Sequence, residues 1–197
     1  MTTTESTAVA ADVVPFDLTT GLATTRPSLR RRLSAMADMY RDTAAAQAQV
    51  ATDDVLVYEF YDMGVPATSG DVAWGTSIVY PGKVGDEFHM TKGHFHTVLD
   101  TAEIYFCLAG QGYMLMENPE GDVQWAEFVP GQAVYVPRRY AHRSVNTGTA
   151  PLVTFFAFRG DAGHDYGTIE EKGFRTLCVE RDGAPAFVDN PKWAGAS

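Results

Sequence analysis

Cysteine is scarce: Cys107 and Cys178 are the only two in 197 residues. Two isolated cysteines without metal-type spacing do not make a disulfide framework. Cys107 lies in an apolar run and reads as a small packed hydrophobe. Positive charge is scarce too, with 15 Lys and Arg against 25 Asp and Glu and a net charge of −10. That argues against nucleic acid, where Lys and Arg supply most of the affinity by neutralising phosphates. It argues equally against an acidic membrane surface. An anionic substrate stays open, because a local pocket can oppose the global field. No apolar run approaches the ~18 residues of a spanning helix. The opening "MTTTESTAVAADVV" has no basic head and only a short apolar run interrupted by Asp12. That is not the pattern of a secretory signal, so the expected compartment is the cytoplasm.

What is present suits a globular chain. Apolar residues make up 45% and charged residues 20%, and the length fits one domain with extensions. Residues 1–14 are polar or small and are expected to form a disordered tail, leaving 15–197 as a single domain. From Ser28, the residues Leu29, Leu33, Met36 and Tyr40 recur at helical spacing. Three arginines, Arg30 to Arg32, oppose the helix dipole at the start of that segment and read as a solvated face. The alanine-rich half, Asp42 to Val50, is the firmer helix, capped by Asp42 or Thr43.

From residue 55 the texture changes. "VLVYEFY", "GTSIVY", "AEIYFCLA", "GYMLME", "VQWAEFV", "QAVYVP" and "PLVTFFAF" are short, β-branched and aromatic. Turn clusters such as "PGKVGD", "AGQG" and "NPEGD" separate them. The rhythm predicts an all-β antiparallel fold of the jelly-roll kind with a short N-terminal helical extension. One later break, "GDAGHDYGTIEEKGF", is a Gly-rich loop with room for one helical turn.

Five histidines occur in the chain, and two stand one residue apart in "TKGHFHTVLDTAEIYFCLAGQG", Thr91 to Gly112. Alternate side chains of a strand share a face. His94 and His96 therefore project together, and so do Glu103 and Tyr105 on the next strand. His142 supplies a third imidazole after "PGQAVYVPRRYAH". Three imidazoles and a carboxylate converging in a small barrel suit a divalent first-row metal. Such a set leaves coordination positions open, as catalysis requires. A His-x-His pair alone is more often ordinary polar chemistry; the wider constellation changes the balance.

Gly110 lies seven residues after Glu103, Gly131 and Pro137 precede His142, and Asn146 follows it by four. These spacings resemble the two motifs of the cupin superfamily, with Arg139 standing where the second motif usually has glycine. The flanking stretches, above all "AGHDYGTI", are similar to the cupin-type glucose-6-phosphate isomerases of archaea over roughly residues 15–193. The resemblance implies a cupin double-stranded β-helix and a metal site on His94, His96, Glu103 and His142. It implies one divalent ion per chain, iron first, with manganese, nickel or zinc also fitting. It places the substrate phosphate near Tyr58, Ser77, Thr91 and Gly93, with Lys92 able to help and with His164 and Tyr166 closing over the sugar phosphate. Glu103, positioned by Tyr105, would carry a proton between C1 and C2, or the hydrogen would pass as hydride. A homodimer is implied, and mannose 6-phosphate is an open second substrate. Tyr58 could equally be core, His89 reads as structural, and Arg138 and Arg139 read as surface residues on a turn. Two other classes share the ligand set: a cupin dioxygenase and a non-catalytic sugar-binding cupin.

Overall fold

Period-two runs become strands here, and the Gly and Pro clusters become the turns between them. The computed structural model describes residues 11–194. In chain order it contains β1 (Leu29–Arg32), two 3₁₀ turns (Leu33–Ala35 and Ala37–Met39), α1 (Thr43–Thr52), β2 (Leu56–Asp62), β3 (Val72–Val79), β4 (Lys83–Val84) and β5 (Glu87–Phe88). There follow β6 (Glu103–Ala109), β7 (Gly112–Glu117), β8 (Val123–Phe128), β9 (Ala133–Val136), β10 (Ala141–Asn146), β11 (Leu152–Arg159), α2 (Gly167–Lys172), β12 (Thr176–Arg181) and β13 (Ala184–Asp189). All named strand pairs are antiparallel. One sheet runs β1-β2-β3-β11-β6-β9, a second β10-β7-β8, and a third β13-β12-β5-β4. Among the described residues, no helix is long and apolar enough to cross a membrane.

The N-terminal extension corrects the expected helix. Leu29–Arg32 is a strand paired with β2. Leu33 and Met36 are fully buried through a 3₁₀ turn closed by Met36 N–H donating to the Leu33 carbonyl at 2.9 Å. A three-residue spacing suits three residues per turn as well as it suits an α-helix. The firmer helix forms where expected, and the Asp42 carboxylate accepts from Ala45 N–H at 2.9 Å as its cap. Of the expected tail, residues 1–10 lie outside the described residues. Val14 is buried, in a small cluster with Ile78 and Val153. Cys107 and Cys178 are both free and buried. Strands β12 and β13 extend the sheet structure past the last predicted run.

The large sheet carries the site. Residues directly opposite across a pair point to the same side, so the register defines rows on its inner face. One row is Val136, Glu103, Phe158 and Ala73. The next is Val134, Tyr105, Phe156, Gly75 and Asp62. A third is Cys107, Thr154, Ser77, Phe60 and Leu29, and a fourth is Leu152, Val79, Tyr58 and Arg31. The opposite wall comes from β10 and the segment before β6, joined by the His94–His142 and Met90–Val145 bridges.

Candidate metal centre and substrate pocket

Strand alternation on β10 turns His142 and Ser144 into the pocket, facing the inner rows of the large sheet. His94 and His96 reach the same place from the segment bridged to β10. Gly93 makes that segment possible. Its φ is 78°, and a Cβ there would stand 2.7 Å from the Phe174 ring and 3.1 Å from the His142 carbonyl. Only glycine tolerates both demands.

His94, His96, Glu103 and His142 each offer one ligand atom, and these atoms all lie within 4.8 Å of one another. His96, Glu103 and His142 are buried; His94 is partly exposed as a residue, but its Nε2 is out of solvent. His96 Nε2 lies 3.0 Å from Glu103 Oε2, and His142 Nε2 lies 2.9 Å from the same oxygen. The second contact lacks hydrogen-bond geometry, so His142 Nε2, like His94 Nε2, has no partner. Two of the Nδ1 atoms are engaged: that of His96 with the Thr101 carbonyl and that of His142 with the Tyr140 carbonyl, both at 3.3 Å. A carbonyl at Nδ1 favours the tautomer with its proton there, the usual orienting device for a metal-binding imidazole; with a cation bound, Nε2 is the lone-pair donor, and without one an Nε2 proton takes the cation's place beside Glu103. The donor set therefore fits a divalent first-row cation.

Electrostatics agree with that fit. Burial alone would raise the Glu103 pKa, but His142, with His96 and His94 behind it, holds the carboxyl well below the usual range. Burial pushes the His94 imidazole well below 6.5, so it is neutral. Tyr105 is raised, first by burial and then by the Glu103 carboxylate beside it, and stays a phenol.

Above this cluster opens a narrow pocket of about 60 Å³. Tyr58, Ser77, Thr91, Gly93, Tyr105, His164 and Tyr166 all line it, as do the ligands His94, Glu103 and His142. Tyr58 also belongs to the buried core. Thr91 Oγ1 accepts from Ser144 N–H at 3.0 Å, which leaves its hydroxyl proton to donate. The "GHDYG" loop is pinned to the ligand segment by paired backbone bonds between Phe95 and Asp165. The His164 ring packs 4.4 Å from the His94 ring and stacks with Tyr166. His164 is exposed as a residue, yet partial burial of its ring lowers its pKa below 6.5. Tyr166 is pushed up to about 12 by burial.

Other residues fall elsewhere. Lys92 is held by Glu170 at 2.5 Å. His89 is buried outside the cluster, with Nδ1 3.2 Å from the Tyr80 carbonyl. Arg138 pairs with Asp100 and Arg139 with Glu120, both on the surface. Arg139 has φ 72°, which explains why glycine is the usual occupant of that position. Residue order alone missed Phe60, Ser144, Phe156 and Phe158 in the pocket lining. The alternation already used for His94 and His96, applied two residues beyond His142, would have found Ser144.

A jelly roll whose pocket floor carries three imidazoles and one carboxylate is a cupin. The family model for glucose-6-phosphate isomerase matches residues 30–191, and the chain belongs to that family. A glucose-6-phosphate isomerase of Thermococcus litoralis is 46% identical over 180 residues, 91% of this chain and 95% of its own length. One from Pyrococcus furiosus shows the same identity and coverage. One from Sinorhizobium medicae is 38% identical over 181 residues, 90% of this chain and 85% of its own. Among solved structures, a recombinant oxalate oxidase in complex with glycolate covers 59% of this chain and 58% of its own, with TM-score 0.48 and 14% identity.

Proposed function

We propose that this chain interconverts glucose 6-phosphate and fructose 6-phosphate, with one divalent first-row ion held by His94, His96, Glu103 and His142. Family membership supports the isomerase activity. The metal rests on one observation: the buried Nε2 atoms of His94 and His142 have no partner and stand beside an ionised carboxylate. A cation bound there supplies Lewis-acid stabilisation of charge on the substrate oxygens. Iron is the first choice, and manganese, nickel and zinc suit the same donors.

The chain's own groups account for the rest. Isomerisation moves one hydrogen between C2 and C1 while the carbonyl moves the other way. Glu103 is ionised, and with Oε2 turned to the imidazoles its Oε1 is the oxygen available to carry the proton. Tyr105, kept protonated, orients that carboxylate. Neutral His164 can accept or donate a proton at the sugar hydroxyls. Thr91, Ser77 and Tyr58 offer hydroxyls to the phosphate, and Phe156 and Phe158 keep water from the reacting carbons.

A coupled assay on metal-loaded protein tests the activity; no turnover of either hexose phosphate with any first-row ion rejects it. Turnover in deuterated water then separates the routes. Label at C1 or C2 marks proton transfer through a base, and its loss with turnover in Glu103→Gln assigns that base to Glu103; no label, together with an active Glu103→Gln variant, marks a hydride shift. Oxygen uptake in place of isomerisation would identify a dioxygenase. A homodimer is part of the same proposal, supported by the exposed apolar side chains of Ile104, Phe106 and Tyr135 on the outer face of β6 and β9. A sedimentation mass near 21.5 kDa, that of one chain, would reject it.

A further inference from the structure

No lysine or arginine lines the pocket, although the substrate proposed above carries a phosphate dianion into a chain of net charge −10. Lys92 stands at the rim, but Glu170 already holds it at 2.5 Å. Arg31 is placed differently. It is the cross-strand partner of Tyr58, and directly opposed residues face the same side. Tyr58 lines the pocket, so Arg31 stands on the pocket side of the sheet, one strand further out. Pairing becomes irregular between Arg31 and Arg32, the kind of bulge that re-aims side chains.

Its neighbours are committed elsewhere. Arg30 Nε donates to the buried Glu59 at 3.0 Å, and Arg32 Nη1 donates to the Asp54 carbonyl at 2.6 Å. Arg31 is half-buried and makes no ion pair with any described residue; Nη1 donates to the Arg30 carbonyl at 3.2 Å, and the guanidinium lies beside the Tyr58 hydroxyl. At Tyr58 and at Tyr166, which both line the mouth, burial raises the phenol pKa and the Arg31 charge opposes it. The arginine run expected as a solvated face is therefore split, with its middle member turned toward the pocket.

We propose that Arg31 is the cation that binds the substrate phosphate, completing a subsite whose other donors are the hydroxyls of Tyr58, Ser77 and Thr91. A guanidinium offers two parallel N–H donors that match two phosphate oxygens. The inference rests on the isomerase reading for its substrate but not for its geometry.

The test uses full-length, metal-loaded protein. Arg31→Gln should raise KM for fructose 6-phosphate by about tenfold to a hundredfold, the span of a charged hydrogen bond. A bond made equally in ground and transition states should leave kcat within about threefold. Competitive inhibition by inorganic phosphate should weaken in parallel, with metal content and melting temperature unchanged. Arg31→Lys should recover part of the loss, and it keeps the test open if the glutamine variant folds poorly. Arg32→Gln, one residue along, should leave KM unaltered. Unchanged KM and phosphate inhibition in Arg31→Gln, or an equal rise in Arg32→Gln, overturns the proposal. If the wild type turns over no hexose phosphate, calorimetry with inorganic phosphate still decides. Binding to wild type that is lost in Arg31→Gln supports the subsite; equal binding to both, or to neither, refutes it.

Discussion

Two buried glutamates stand at opposite roles in this molecule. Glu117 is 0% exposed and Glu103 2%, yet their surroundings are of opposite kinds. Glu117 Oε1 accepts from Lys172 Nζ at 2.7 Å and from Trp193 Nε1 at 2.9 Å, and Oε2 accepts from Arg175 N–H at 2.6 Å. Every neighbour is a donor, and one brings a full positive charge. Glu103 is met by imidazoles whose Nδ1 protons are taken up by the Thr101 and Tyr140 carbonyls. Those imidazoles turn lone pairs toward a carboxylate, and acceptors facing an acceptor are stable only around a cation or a proton. A buried carboxylate ringed by donors holds the fold together. One faced by imidazoles that are held from behind is a place for a cation or a proton.

The largest effect that would break this comparison is on activity. Chelation, or His142→Ala, should lower isomerase turnover by about a thousandfold, about 4 kcal/mol of lost transition-state stabilisation. Far-UV circular dichroism should stay near wild type, because the core is apolar without that ring. Full turnover in verified metal-free protein would show the acceptor ring to be structural after all.

The converse substitution acts on stability. Glu117→Gln strands the Lys172 ammonium, and breaking a buried pair from one side costs about 3–5 kcal/mol. For a domain of this size the melting temperature should fall by about 10 °C. Metal content and turnover of the folded protein should remain. A variant that melts like wild type but loses its metal would reverse the two roles.

Next in size is Tyr105→Phe, which removes the hydroxyl beside Glu103. Groups that orient a ligand or base are worth about tenfold to a hundredfold, and the loss should appear in kcat while melting is unchanged. An unaffected kcat would mean that Glu103 needs no help from the phenol.

The smallest effect concerns His89, which sharpens what makes a site. Like His142 it has Nδ1 against a carbonyl and an Nε2 without a partner, but it lies outside the ligand cluster. His89→Gln should therefore leave metal content intact. Burial lowers its pKa below 6.5, so the unfolded chain takes up the proton first. The stability held by the neutral ring is complete above pH 6.5 and is lost as pH falls toward the folded value. Chemical denaturation of metal-free protein between neutral and acidic pH should show a shallower slope for the variant than for wild type. Identical slopes would assign the acid sensitivity elsewhere.

Much of the candidate site was legible in residue order, because a histidine–glutamate cluster carried on strands leaves its alternation and its turn glycines in one dimension. His94, His96, Glu103 and His142 were nameable before any fold was known, and so was the Asp42 cap. Strand β10 was harder. Its six residues, Ala141–Asn146, are all buried although four are polar, so hydropathy does not mark it. β1 was hidden by a three-residue spacing that several backbones satisfy. Arg31 and the pocket phenylalanines depended on which strand lies beside which. Cross-strand register is not written in local sequence, and only the assembled sheet shows that Arg31 faces with Tyr58.

The rows across the inner face also set how this architecture can change. Glu103 and Ser77 sit two rows apart, fixed by the pairing of β6, β11 and β3. One row is two residues, about 6.7 Å, whereas one carbon–carbon bond is about 1.5 Å. A one-residue slip of any one strand would turn that strand's pocket side chains outward. The pocket is thus a ruler with coarse divisions. A lineage that came to act on a shorter or longer sugar phosphate could not slide the strands to follow it. It would have to exchange Phe156, Phe158 or Ser77 for side chains of another size, leaving the register where it is.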